Sequence, residues 1–193
     1  MQKNVEKKTN TLDGILKEPK NAVIMVELPT NSYFNTNANN IKTLLRNGFE
    51  GVYISSQRPF KNVFTLFKEK KIDLAKLFVV DAVSACEGVP EKHQRCISIS
   101  KTLNVDEIVR AIYTALSKLK GKKTFIFIDS LTTMALYLPL SEVMRFCDFL
   151  TQTVNKQNGK RVVLVFNVAK ELAQKKFIQD IALHVDEIVV VEK

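Results

Sequence analysis

The residues best placed to do chemistry are Asp129, Ser130, Thr132 and Thr133, which follow directly on the apolar run Phe-Ile-Phe-Ile at 125–128. Four apolar residues closed by a carboxylate are too few for a helix. They read as a strand buried on both faces, the habit of a central strand in a parallel sheet. In open α/β sheets, ligands bind beyond the carboxyl ends of the strands. An aspartate at that edge can hold a metal ion or a phosphate-bound water, so Asp129 is the candidate metal and ligand residue, with Ser130 beside it. The plainer alternative is that Asp129 caps the helix that follows, since Asp is a favoured capping residue. The stretch alone leaves both open. Arg58 and Lys170, each just after a strand, are the cations that could serve an anion held near Asp129.

Other constellations are weaker. Cys86, His93 and Cys96 fall in one loop region and could supply three metal ligands, but their spacing matches no familiar zinc pattern and a fourth ligand is missing. No metal site or cofactor is expected from them. Cys147 lies on the apolar side of a helix and reads as core. His184 has no assignable Ser or Cys partner, and none of Ser32, Ser55 and Ser130 sits in a G-x-S-x-G turn. No catalytic residue is assigned.

At 193 residues the chain is most simply one domain, 1–193, with residues 1–20 as an edge segment. No apolar run reaches membrane-spanning length, and the polar start MQKNVEKKTNT lacks the apolar centre of a signal peptide. With three widely separated cysteines, this points to a cytoplasmic protein without a disulfide framework. The net charge of +9 invites a nucleic-acid reading. The lysines, however, lie in short scattered clusters with no interleaved aromatic platform, so any such binding should be weak and non-specific.

The elements that must position Asp129 alternate in type. AVIMVEL at 22–28 is a continuous strand stopped by Pro29, and 30–40 has the Asn- and Thr-rich composition of a loop. Ile41, Leu44 and Leu45 mark a short helix closed by Asn47-Gly48. GVYISS at 51–56 is the second strand, Pro59 opens a helix, and LFVV at 77–80 is the third strand, ending on Asp81. A short strand is expected over 96–99. Asn104 with Glu107 resembles a capping box opening a helix whose Val105, Ile108, Ile112 and Leu116 share a face. After the central strand, Ser141 is expected to cap a helix through Val154. RVVLVF at 161–166 is a buried strand, 168–181 a helix, and EIVVV at 187–191 the last strand. Alternation of this kind feeds a mainly parallel, twisted sheet with helices on both faces, a three-layer α/β architecture. The strands at 22–28 and 125–128 are expected to be neighbours at its centre.

Four stretches in this order resemble the RecA-fold ATPases, in particular the KaiC-like branch common in archaea: TLDGILKEPKNAVIMVE, EGVYISSQ, KKTFIFIDSLTTM and IALHVDEIVVVEK. They cover the chain from about Thr11 to Glu192. The third is similar to that family's Walker B strand, and the fourth to its closing strand with Asp186 before it. The resemblance implies the RecA-like P-loop NTPase fold. It also implies assembly side by side through the nucleotide face.

The functional motifs depart from the family. Its P-loop is G-x-x-x-x-G-K-[ST], in which backbone N–H groups surround the phosphates and Lys neutralises them. The corresponding stretch here, ELPTNSYFNT at 27–36, contains no glycine and no lysine, and Pro29 has no N–H to offer. Where the family carries a catalytic Glu after its second strand, this chain has Ser55-Ser56-Gln57-Arg58. Neither Ser nor Gln can serve as a general base. The expectation is a degenerate, non-catalytic domain that binds a protein, another superfamily member or a copy of itself. Two alternatives stand beside it: a ligand- or nucleotide-binding protein, or an enzyme, using the crevice near Asp129, and a nucleic-acid-associated accessory protein.

Overall fold

The computed structural model describes residues 11–84, 93–99 and 103–192. In chain order its elements are α1 (Leu12–Ile15), β1 (Ala22–Leu28), α2 (Tyr33–Arg46), β2 (Glu50–Ser55), α3 (Phe60–Glu69), β3 (Leu77–Asp81), β4 (Cys96–Ser98), α4 (Val105–Ser117), β5 (Lys123–Asp129), α5 (Leu131–Tyr137), α6 (Leu140–Asn155), β6 (Arg161–Ala169), α7 (Lys176–Ala182) and β7 (Glu187–Val190). Short 3₁₀ turns lie at Leu74–Lys76 and Lys170–Leu172.

The seven strands form one sheet in the order β4-β3-β2-β5-β6-β1-β7, and every pairing is parallel. Successive side chains of a strand face opposite sides, and both sides here are covered. Val52 and Ile54 of β2 pack with α4 and α6 residues such as Ile108 and Phe146 in one core. Tyr53 between them packs with Ile41 of α2 and Phe67 of α3 in the other. The result is three layers, with α1, α2 and α3 on one face and α4, α6 and α7 on the other. Gly51 is where the sheet cannot carry a side chain, because a Cβ would lie 2.4 Å from the Phe125 ring of β5.

The apolar residues of the strands form the core. Val23, Ile128, Val163 and Val165 are completely buried, and Val79 and Ile126 nearly so. The expectation that β1 and β5 are neighbours fails: β6 lies between them, its Val163 pairing with both Ala22 and Phe125. Three boundaries also move. Helix α2 starts at Tyr33, within the stretch read as loop, because Tyr33, Asn37 and Ala38 continue the buried row of Ile41 and Leu44. Its end is as expected, with Gly48 at φ +82° just past the last turn. The stretch read as one helix over 168–181 is strand to Ala169, then a 3₁₀ turn, then α7. At the start of α6 the capping position belongs to Pro139, not Ser141. No helix of the described residues is long and apolar enough to cross a membrane.

Candidate functional site

Strand β5 delivers Asp129 to the carboxyl edge of the sheet, and the carboxylate is 1% exposed. The capping alternative is settled by the next residue. Ser130 is the N-cap of α5, its side chain accepting from the Thr133 amide, so Asp129 does not spend its oxygens on the helix. The backbone here is pinned to β2: the Ser56 amide and hydroxyl both donate to the Asp129 carbonyl at 2.8 Å, and the Ser130 amide donates to Ser56 Oγ at 2.8 Å. The Asp129–Ser130 peptide bond is cis.

The carboxylate itself meets side chains from other elements. The Tyr53 hydroxyl of β2 donates to Asp129 Oδ2. The Tyr53 ring is held by a near-parallel stack on Phe127 (5.5 Å between centroids) and an edge contact with Phe67 (5.2 Å). Burial pushes the Asp129 pKa up to about 6, against the opposing influence of hydrogen bonding from Tyr53, Tyr33 and Asn37 and of the Arg58 charge. Burial also raises the pKa of both tyrosines well above the phenol range, and the Asp129 charge adds to it.

Tyr33 and Asn37 come from consecutive turns of α2 and lie close enough to influence the carboxyl. Yet Asp129 Oδ1, Tyr33 Oη and Asn37 Nδ2 are all buried without a well-formed hydrogen bond. Asn37 Oδ1 accepts from Asn167 Nδ2 of β6 at 2.9 Å, while Asn167 Oδ1 is also unpartnered. Three adjacent strands, β2, β5 and β6, and helix α2 therefore place a polar layer, with one acid and several neutral donors, inside an apolar surround. Such a layer can hold a water or a proton on the acid. It carries one carboxylate and no base with an ordinary pKa. Among the described residues no cluster of His, Cys, Asp and Glu could hold a metal ion.

Of the residues singled out from sequence, Asp129 and Ser130 are adjacent and buried, and Ser130 Oγ also accepts from Gln57 Nε2 at 3.0 Å. Arg58 is exposed, its guanidinium 4.0 Å above the Phe34 ring, near enough for its charge to reach Asp129. Lys170 is exposed on the turn after β6. His93 packs against the Phe60 and Phe64 rings, and Cys96 Sγ lies 3.8 Å from Ser98 Oγ on β4. Cys86 lies outside the described residues. Cys147 is buried core, as expected.

The residues that the sequence did not bring forward are Tyr53, Asn37 and Asn167. Two signals were there. Asn167 interrupts an apolar run, and Tyr33, Asn37, Ile41 and Leu44 recur at helical spacing, a pattern that argues for one buried face.

No protein-family model matches the chain, and no curated protein matches it by sequence. Solved structures do resemble it. One is a KaiC-like protein from the hyperthermophilic archaeon Pyrococcus horikoshii, at a TM-score of 0.57 and 18% identity, covering 89% of this chain and 71% of that one. Another is an uncharacterized protein from Pyrococcus horikoshii in complex with an unknown peptide, at a TM-score of 0.66 and 12% identity, covering 89% and 77%. At these identities the likeness concerns architecture: the chain has the three-layer, parallel α/β fold of KaiC-like structures.

Proposed function

We propose that this chain is a KaiC-like domain that has lost ATP turnover and acts by binding another protein, either a member of the same superfamily or a second copy of itself. The observation that carries the reading is the first turn of α2. Phosphoryl transfer by a P-loop enzyme needs a backbone cradle with Lys, a metal held by Ser/Thr and an Asp, and a group orienting the attacking water. Here the connection from β1 to α2 is residues 29–32 alone, and Tyr33 follows at once, 8% exposed, with its ring in the core and its hydroxyl beside Asp129. A phosphate would have to displace that side chain. It would then meet an unusually basic carboxylate and the buried Glu27.

The test is phosphate release and calorimetry with MgATP. The expected result is no turnover above a boiled control and no affinity tighter than about millimolar, since each missing oxyanion donor alone costs about a hundredfold to a thousandfold in rate. Asp129-dependent phosphate release overturns the catalytic half. Micromolar binding that disappears in Asp129→Ala overturns the binding half, and favours the second reading, a crevice ligand. That reading is supported by the four buried polar atoms of Asp129, Tyr33, Asn37 and Asn167 without partners. A cytoplasmic setting belongs to the same proposal. So does weak, salt-sensitive contact with nucleic acid, because scattered lysines neutralise phosphates without reading bases.

A further inference from the structure

The outer face of α6 brings exposed apolar, aromatic and charged side chains together. Its row of Ser141, Met144, Arg145, Asp148, Phe149 and Gln152 lines a shallow depression of about 570 Å³. A second depression of about 230 Å³ lies between α4 and α6, with Arg145 and Phe149 on its rim as well. Phe149 is 43% exposed, and Tyr113 of α4, 45% exposed, meets its ring edge-on at 6.5 Å. Two aromatic rings are thus held in a defined arrangement at the surface, a use of apolar area that marks interaction sites. Arg145 and Asp148 are exposed and form no ion pair among the described residues.

The order of chemistry along this row is self-complementary. Turn a second copy of α6 antiparallel, with a two-fold axis at the level midway between Phe146 and Cys147. Ser141 then faces Gln152 of the other copy and Arg145 faces Asp148, while Met144 and Phe149 lie on opposite flanks of the row, each on the side of its own counterpart. Each polar group meets a polar group, each apolar group an apolar one, and each cation an anion. The same two pairs recur on the other side of the axis, as an isologous contact requires. Had the order of Arg145 and Phe149, or of Asp148 and Met144, been exchanged, the antiparallel pairing would place charge on apolar surface.

We propose that the partner seated on this face is a second copy of the chain, docked antiparallel through α6 with Arg145–Asp148 pairs at its centre, the two Met144 side chains on one flank and the two Phe149 rings on the other. This names the partner and surface for the protein-binding reading, and rests on that reading only for the premise that the chain works by association. The two-fold contact lies on the face opposite α2, so it leaves the Asp129 edge uncovered and differs from side-by-side assembly through that edge. A 16-residue helix is about 24 Å long. One helix face flanked by Tyr113 is a small interface, of the weaker class that associates at about micromolar concentrations.

Sedimentation analysis of the full chain and three variants tests this. The unaltered chain should be a dimer at about 100 μM and dissociate on dilution. Arg145→Glu places like charges opposite each other twice, and Asp148→Arg does the same. Each should weaken the dimer at least about tenfold, since like-charge contacts across an interface are strongly unfavourable. The double variant Arg145→Glu/Asp148→Arg restores opposite charges and should restore the dimer. Both positions are exposed, so the folded monomer should survive, which circular dichroism checks. A monomer at 100 μM, a ring or filament, a dimer indifferent to Arg145→Glu, or a double variant that stays monomeric each overturns the proposal. A monomer without ATPase activity sinks this inference alone, whereas a dimer that hydrolyses ATP sinks the loss of turnover alone.

Discussion

Asp81 and Asp129 end the two strands that flank β2, and both pair in register with the same residue, Ser55. Both are essentially fully buried. They differ in what meets them. Asp81 receives the Phe60 amide at 2.7 Å, the Val83 and Ser84 amides at 2.9 Å each, and the Ser84 hydroxyl. Its oxygens are filled from its own loop and from the first turn of α3, where a carboxylate also suits the positive end of the helix. Asp129 receives one side-chain hydrogen bond, from Tyr53, and keeps Oδ1 unpartnered. Equal burial at equal positions in the sheet therefore produces a structural fastener in one case and a strained, protonatable group in the other. Function is to be sought where burial is not compensated.

The largest effect follows from the satisfied member of the pair. Asp81→Ala removes the acceptor for three backbone amides and detaches α3 from the loop after β3. Each unsatisfied amide costs on the order of 1–3 kcal/mol, and solvent can reach some of them, so the variant should lose about 3–5 kcal/mol. Denaturant unfolding measures it. A loss below about 1 kcal/mol would mean that the amides find other acceptors and that the contrast with Asp129 is one of degree.

The next effect concerns the uncompensated member, and its signature is pH dependence. A folded-state pKa of about 6, against an ordinary value of 3.8, means that folding favours the protonated acid. The stability this contributes is fully present below about pH 4 and is lost as pH rises through 6, amounting to about 3 kcal/mol at 1.36 kcal/mol per unit. Asp129→Asn cannot ionise. Its stability relative to the unaltered chain should therefore improve by about 3 kcal/mol between pH 4 and pH 8, as read from paired unfolding curves. A flat difference across that range would mean that Asp129 is ionised and solvated in the folded protein, and would break the comparison.

These two acids also mark how far sequence reaches. The strands at 22–28, 125–128 and 161–166 are legible because a strand covered on both faces must be continuously apolar. Their order in the sheet is not, since each satisfies the same requirement. β6 stands between β1 and β5, and nothing local to either strand says so. The start of α2 was hidden by its Asn and Thr content. Its hold comes from burial of Tyr33 and Asn37 against β2, β5 and β6, a tertiary effect that overrides propensity. Asp129 was legible as a polar stop on a buried strand. Its partners were not, because Tyr53, Asn37 and Asn167 lie far from it in sequence and are joined only by the fold.

The smallest effect concerns Ser130, which sequence placed beside Asp129 as a candidate ligand residue. Its hydroxyl accepts from the Thr133 amide at 3.2 Å and from Gln57 Nε2 at 3.0 Å, and it lies 3.1 and 2.9 Å from the Thr132 and Thr133 hydroxyls. An oxygen with so many protein neighbours has little capacity left for a ligand, and works as a cap. Ser130→Ala should then cost about 1 kcal/mol, the usual consequence of losing a side-chain cap. Ser130→Asp, which can also cap, should recover part of that loss only if a second carboxylate next to Asp129 is tolerated. At pH 8, where Asp129 is ionised, the recovery should be smaller than at pH 5, where it is largely protonated. Equal recovery at the two values would show that the two side chains do not sense each other, leaving Ser130 with the α5 helix and outside the Asp129 layer.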